Sequence, residues 1–152
     1  MANQVETSLS EELLPLLQQE RFVTIATVDF ETKGPNVNAI SWVYAPDEQS
    51  VRFSVDTRSR IVENIRNQPL VTITVVGAGS TYSITGHAEV KADRLEEVPL
   101  KLALVEIKID EVRDVMFYGS RISQEPKYEK TYDKEAADKL DRQVLQAMQE
   151  FE

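Results

Sequence analysis

Six segments of the chain have the pattern of apolar and polar positions that is typical of β-strands, rich in β-branched residues and poor in charge. The alternation is cleanest in residues 105–110 (VEIKID), which lie in the last of these segments. Short connections separate most successive segments, which favours hairpins and an antiparallel sheet. Gly86, inside the fifth segment, predicts a β-bulge or a close backbone approach. The predicted strands are residues 21–29, 36–45, 51–56, 70–76, 80–91 and 102–118.

Leucines at helical spacing predict a first helix over residues 8–19, where a Ser-x-x-Glu sequence also matches a capping box. Pro15 lies inside this stretch, so the helix is expected to begin late or to be kinked. A short helix over residues 59–67 follows the third strand. Residues 124–133 are polar and include Pro126, which predicts a surface segment, and an amphipathic helix is predicted over residues 134–151. Together these elements predict a single domain over residues 1–152, mainly β, in which a six-stranded antiparallel barrel carries flanking helices.

The charge balance and the residue types narrow the range of partners. The chain has 26 acidic residues against 17 basic ones, a net charge of −9, which disfavours nucleic acid or an anionic membrane as its main partner. It has no cysteine and one histidine, His87, so disulfides, thiolate catalysis and multi-histidine metal sites are excluded and no metal centre is expected. Neither a signal-peptide pattern nor an apolar run of membrane-spanning length is present, so a cytoplasmic location is expected.

Against this acidic background, residues 51–67 (VRFSVDTRSRIVENIRN) combine a strand, a polar loop with Arg58 and Arg60, and a helix start at Ser59. A helix start presents unpaired N–H groups, and a guanidinium can form two parallel hydrogen bonds with a phosphate. The segment is therefore a candidate anion-binding loop. The residues alone favour a simpler interpretation, a solvated surface loop in which Ser59 only caps the helix.

Five short motifs then follow one another in a distinctive order along the chain. They are ATV…GPNVNAI (residues 26–40), VRFSVD (51–56), SRIVENI (59–65), NQPLVTI (67–73) and GHAEV (86–90). In this order and spacing, residues 9–118 resemble the split-barrel flavoproteins of the pyridoxamine 5′-phosphate oxidase-like superfamily. Within that superfamily the chain resembles the bacterial general-stress proteins.

The resemblance implies a six-stranded antiparallel split β-barrel, in a homodimer with two FMN sites at the subunit interface. It also implies which residues bind this cofactor. The strand along the isoalloxazine ring is matched by Asn38, Ala39, Ile40 and Ser41, and the positions beside the ring and the ribityl chain are matched by Ser54 and Val55. The phosphate-binding residues are matched by Ser59 and Arg60, with Arg58 assisting. Thr81 matches a position from which the family often makes a polar contact with the flavin.

The sequence departs from the family pattern at positions that bear on function. Asn38 stands where pyridoxamine phosphate oxidases have an arginine, and Ile61 where a second basic residue follows. Residues 127–152 contain no histidine, so the family's Arg-x-His motif is missing and pyridoxamine phosphate oxidase activity is not expected. The resemblance therefore implies an FMN-binding oxidoreductase of unknown substrate. The alternatives are a non-catalytic flavin carrier or sensor, and a relative that binds a deazaflavin or, through His87, haem.

Overall fold

A computed structural model of the protein describes residues 5–152, which form eight strands and three helices. The strands are β1 (Val5–Glu6), β2 (Val23–Val28), β3 (Pro35–Ile40), β4 (Val43–Asp47), β5 (Ser50–Asp56), β6 (Leu70–Gly77), β7 (Ser80–Ala92) and β8 (Leu102–Asp114). The helices are α1 (Leu13–Leu16), α2 (Arg60–Asn67) and α3 (Lys134–Glu150). None of these helices is long and apolar enough to cross a membrane.

The strands form one antiparallel sheet in the order β3-β2-β6-β7-β8-β5-β4, and β1 pairs with the end of β8. The sheet does not close, because β3 and β4 lie at opposite ends of this order and do not pair with each other. Its architecture confirms the predicted class, a mainly β split barrel with flanking helices. The predicted number of six strands is wrong, since the described residues contain eight.

One of the two additional strands arises because the predicted strand over residues 36–45 is divided. β3 pairs with β2, whereas β4 pairs with β5, and the chain changes partner at Ser41 and Trp42. The Ser41 carbonyl accepts hydrogen bonds from the backbone N–H groups of Arg21 and Val43, each at 3.0 Å. A segment whose two halves belong to opposite ends of the sheet cannot be a single straight strand.

The ends of several other elements also differ from the prediction. The helix predicted over residues 8–19 is only α1, Leu13–Leu16, and no capping box forms. Instead, the Ser10 hydroxyl accepts a hydrogen bond from the backbone N–H of Leu13 at 3.1 Å. The strand predicted over residues 102–118 ends at Asp114. The prediction at Gly86 is confirmed, because the register of β7 against β8 shifts between Thr85 and Gly86.

Two apolar clusters hold the sheet and the helices together. The larger fills the barrel and includes Ile61 and Ile65 of α2, whose apolar face is the predicted one. The smaller lies under α3, where Val144, Ala147 and Met148 pack with residues of β8 and of the segment before it, such as Leu104 and Leu95. α3 therefore covers the outer face of β4 and β5, close to the point where β3 gives way to β4.

Candidate functional site

The residues predicted to lie along the flavin ring border a cavity at the end of β3. Ala39, Ile40 and Ser41 line one side of this open cavity, whose volume is about 240 Å³. Its other walls are Phe22, just before β2, and Tyr128 and Lys130 of the segment that leads to α3. The fourth predicted residue of this group, Asn38, lies opposite Ile25 on β3 and is exposed, but does not line the cavity.

A network of buried and half-buried polar groups supports the floor of this cavity. The Lys130 ammonium lies 2.6 Å from Glu20 Oε2 and 3.1 Å from Asp141 Oδ2 of α3. The Ser41 hydroxyl donates to Glu20 Oε2 at 2.7 Å, and the Trp42 indole N–H donates to Asp141 Oδ1 at 2.9 Å. Burial alone would lower the pKa of Lys130, but its hydrogen bonds to the two carboxylates outweigh that effect and raise the pKa. Lys130 therefore keeps its positive charge and joins the end of β3 to α3.

Tyr128 and Phe22 form the aromatic walls of the cavity, and their ring centroids lie 6.5 Å apart. Burial, together with the negative charge and hydrogen bonding of Glu20, raises the pKa of Tyr128 to about 12. The phenol therefore remains protonated throughout the physiological pH range. The Lys130 ammonium also lies 5.8 Å from the centre of this ring.

This shift predicts a late titration step in the native protein. In a phenolate absorbance titration, Tyr128→Phe should remove a step near pH 12. A free tyrosine ionises at a pH of about 10, so the free energy of unfolding should be unaffected below that pH and should decline as the pH rises toward 12. Tyr118→Phe, which alters a fully exposed side chain, is the control and should leave the step in place. If Tyr128→Phe instead removed a step near pH 10, the value of a free tyrosine, the raised pKa of this phenol would be contradicted.

The structure also fixes the candidate anion-binding loop beside the β2–β3 hairpin. Ser59 caps α2, its hydroxyl accepting a hydrogen bond from the backbone N–H of Val62 at 3.4 Å. The buried amide of Asn64 donates to Thr27 Oγ1 and to Asn36 Oδ1, each at 2.9 Å, and so attaches α2 to β2 and β3. The loop before α2 is thereby held next to the strand that lines the cavity.

The two arginines of this loop differ in their surroundings. The Arg58 side chain is 86% exposed, and its Nε lies 3.9 Å from Asp56 Oδ1, at the limit of an ion pair. The Arg60 side chain instead donates from Nε to Asp29 Oδ1 at 2.6 Å and from Nη2 to Glu31 Oε1 at 2.7 Å. Its guanidinium also lies over the Phe30 ring, 4.6 Å from the centroid. Arg58 is available to a ligand, whereas Arg60 is engaged by residues 29–31.

Asp29 is the buried partner that holds Arg60. Besides the two hydrogen bonds from Arg60, its carboxylate accepts the backbone N–H groups of Glu31 and Thr32 at 2.9 and 2.8 Å. The hydrogen bonds from Arg60 and Thr32 hold the pKa of Asp29 well below its usual range, and the two carboxylates raise the pKa of Arg60. Asp29 thus organises the turn after β2 as well as the side chain of Arg60.

The remaining predicted residues fall into two groups. Ser54 and Val55 lie on β5 and do not line the cavity. The Ser54 backbone N–H donates to the carbonyl of Trp42 at 3.1 Å, at the point where the chain passes from β3 to β4. The Ser54 hydroxyl is buried and has no hydrogen-bond partner among residues 5–152. Thr81 lies apart, on β7, three strands from β3 in the sheet, where its hydroxyl contacts Met116 Sδ at 3.6 Å.

Sequence reasoning missed the part of the cavity wall that comes from residues 124–133, which the sequence predicts to be a polar surface segment. Tyr128 and Lys130, two positions apart in this segment, are the sequence signal for this wall, but the neighbouring sequence does not show which residues they contact. His87, the possible haem ligand, lies on β7 with its Nδ1 2.7 Å from Asp110 Oδ2 and does not line this cavity. The cavity therefore offers no histidine to a haem iron.

Comparison with known proteins identifies relatives of this fold. The family model described as pyridoxamine 5′-phosphate oxidase matches residues 9–116. No curated protein matches the chain in sequence. Among solved structures, a protein of Lactobacillus delbrueckii assigned to the pyridoxamine 5′-phosphate oxidases is 22% identical, with a TM-score of 0.61 over 70% of this chain and 94% of that one.

Two further solved structures have the same fold. An F420 reductase is 19% identical, with a TM-score of 0.55 over 64% of this chain and 93% of that chain. General Stress Protein 26 of Bacillus anthracis is 15% identical, with a TM-score of 0.54 over 64% of this chain and 86% of that chain. At these identities the likeness concerns the fold alone.

Proposed function

Because the chain belongs to the pyridoxamine 5′-phosphate oxidase family, whose model matches residues 9–116, we propose that it binds FMN and acts as an oxidoreductase. The observation that carries this proposal is the cavity lined by Ala39, Ile40 and Ser41, the segment that the family resemblance assigns to the flavin ring. Phe22 and Tyr128 give the cavity the apolar and aromatic walls that are typical of cofactor sites.

The ring end of the site offers hydrogen-bonding groups that suit a flavin. β3 is the end strand of the sheet, so none of the strands in residues 5–152 pairs with its outer edge and the main-chain groups of that edge can meet a ligand. The Ser54 hydroxyl is buried without a partner, a state that costs about 1–3 kcal/mol unless a ligand or water satisfies it. Both features support the predicted contacts of residues 38–41 and of Ser54 and Val55 with the ring.

At the other end, Ser59, the first N–H groups of α2 and the exposed Arg58 would hold a phosphate. Arg60 would contribute only through the guanidinium N–H groups that its hydrogen bonds to Asp29 and Glu31 leave free. A bound flavin would supply the hydride or electron transfer, and the chain would supply binding, orientation and charge. Lys130 would keep a positive charge beside the ring, and the Phe22 and Tyr128 side chains would exclude water.

Thr81 fits this proposal only through a second copy of the chain. Two strands, β2 and β6, lie between its strand β7 and β3, so in a homodimer it would face the flavin bound mainly by the partner. The segment beside it is unusually apolar for a surface: Val115, whose N–H donates to the Thr81 carbonyl, is followed by Phe117 at 69% exposure and Tyr118 at 100%. Exposed aromatic residues of this kind are enriched at subunit interfaces, which supports the proposed dimer.

The test is the visible absorbance of the purified protein and its titration with FMN, with mass analysis of any chromophore released on denaturation. A colourless protein that takes up no FMN would overturn the proposal. Reduction of the bound flavin by a nicotinamide, followed by turnover with an acceptor, separates an oxidoreductase from a carrier or sensor. Because a structural neighbour is an F420 reductase, the same titration with a deazaflavin tests the alternative cofactor.

Ser54→Ala provides a sharper test of the ring end. Deleting an unpartnered hydroxyl should not lower the free energy of unfolding of the flavin-free protein, yet it should weaken FMN binding about three- to tenfold through the lost hydrogen bond. Thermal unfolding and fluorescence titration measure the two effects separately. Ser83→Ala on β7, a half-buried serine away from the cavity, is the matched control. Unchanged FMN affinity in Ser54→Ala would remove Ser54 from the site.

A further inference from the structure

The phosphate end of the proposed site carries little net positive charge. Beside Arg58 and Arg60 lie the carboxylates of Asp29, Glu31 and Asp56, so two positive groups face three negative ones, a local charge of −1. The next arginine along the chain, Arg66, forms an ion pair with Asp93. A phosphate that approached this loop would therefore meet arginines whose charge is already largely compensated.

We propose that Glu31 is a specificity-determining residue of this site: together with Asp29 it holds Arg60 away from a terminal phosphate, so that the chain distinguishes weakly between FMN and riboflavin. The inference rests on the proposed function, because it concerns the phosphate end of the same flavin site. The ligands of the site would be flavins with or without a terminal phosphate. The contact that decides between them is the hydrogen bond from Arg60 Nη2 to Glu31 Oε1, at 2.7 Å.

Asp29 and Glu31 contribute to this effect in different ways. Asp29 is buried and also accepts two backbone N–H groups of its own turn, so it is part of the fold, and it accepts hydrogen bonds from both Nε and Nη2 of Arg60. Glu31 is 63% exposed, and its carboxylate contacts only Arg60 among the ion pairs and side-chain hydrogen bonds of the described chain. Loss of the Glu31 charge would free one N–H of Arg60 Nη2 without disturbing the turn, while Nη2 would still donate to Asp29 Oδ2, at 3.1 Å.

The resulting change in affinity can be estimated from the charges alone. A carboxylate and a phosphate of charge about −1.5 to −2, roughly 6 Å apart in a solvated loop, repel each other enough to change the affinity about three- to tenfold. Riboflavin lacks the phosphate, so the same carboxylate should not affect its binding. The effect should also shrink as the ionic strength rises, because both groups are exposed.

The test is Glu31→Gln, with FMN and riboflavin titrated in parallel against the full-length protein by flavin fluorescence. We expect FMN to bind about three- to tenfold more tightly to the variant and riboflavin to bind with unchanged affinity. Glu48→Gln is the matched control, since it removes an exposed carboxylate at the opposite end of β5 and tests the general effect of net charge.

The outcomes separate the inference from the function on which it rests. If both flavins bind but Glu31→Gln leaves the ratio of their affinities unchanged, or Glu48→Gln changes it equally, the role of Glu31 is overturned and the flavin site stands. If the parent protein and both variants bind neither flavin, the proposed function and the inference fail together. Wild-type protein that binds FMN at least a hundredfold more tightly than riboflavin would also overturn the inference.

Discussion

Replacing Gly86 with alanine is expected to prevent folding or to lower the free energy of unfolding by about 3 kcal/mol or more. A Cβ atom at this position would overlap the backbone carbonyl oxygen of Lys108 and lie 2.8 Å from Ile107 Cγ2. Both neighbours belong to β8, the strand that β7 pairs with along most of its length, so they cannot move without breaking the ladder. Chemical denaturation of the variant, followed by circular dichroism, measures the loss.

Gly34→Ala is the matched control for this substitution. A Cβ atom at Gly34 would meet only Thr32 Oγ1, at 3.4 Å, an ordinary contact with the end of a side chain. We therefore expect a change of less than about 0.5 kcal/mol for Gly34→Ala. A Gly86→Ala variant as stable as Gly34→Ala would mean that the bulge at Thr85 and Gly86 can open without cost, contrary to the close approach of the two strands.

The sequence predicts best those strands in which one face alone is buried. β6 and β7 begin and end within a residue of their predicted positions, because Val71, Ile73 and Val75 alternate with half-exposed threonines against the barrel core. The helical stripe before β2 is a different case. Leu9, Leu13 and Leu17 are all buried as the stripe predicts, yet only Leu13–Leu16 is helical. A leucine at every fourth position therefore predicts which side chains are buried in the core, but it does not establish that the backbone between them is helical.

Two features that the local sequence does not reveal, the division of residues 36–45 and the partners of Arg60, depend on residues that are distant along the chain. Residues 36–45 divide because their two halves pair with β2 and β5, which no local pattern reveals. The loop in which Arg60 lies predicts that this residue binds an anion. In the structure it donates hydrogen bonds to Asp29 and Glu31, which lie 31 and 29 positions earlier in the chain. The family resemblance predicts the position of the proposed flavin site, whereas the charge balance at its proposed phosphate end becomes visible only in the structure.

The structure of residues 124–133 also depends on partners that are distant along the chain, and here those partners have a larger effect on stability. Its polar sequence predicts a solvated surface, but Lys130 reaches Glu20, 110 positions earlier, and Asp141, 11 positions later. These contacts join α3 to the end of β3 and place Tyr128 against the cavity. The cavity wall and the attachment of the C-terminal helix therefore depend on the same ammonium group.

Lys130→Met is accordingly expected to lower the free energy of unfolding by about 2–4 kcal/mol at neutral pH. The substitution leaves the carboxylates of Glu20 and Asp141, only 16% and 13% exposed, without the cation between them. Trp42, the only tryptophan of the chain, donates to Asp141 and should show red-shifted emission if α3 loosens in the native protein.

Two companion variants determine whether the loss comes from the buried charges. Lys139→Met removes an exposed lysine from α3 itself and should change the stability by less than about 0.5 kcal/mol. Glu20→Gln combined with Lys130→Met removes one of the two stranded carboxylates and should recover part of the loss, which Lys130→Met alone cannot do at neutral pH. If Lys130→Met were as stable as Lys139→Met and kept the wild-type tryptophan emission, then the ammonium group would not hold α3 to the barrel, and the cavity wall would need another support.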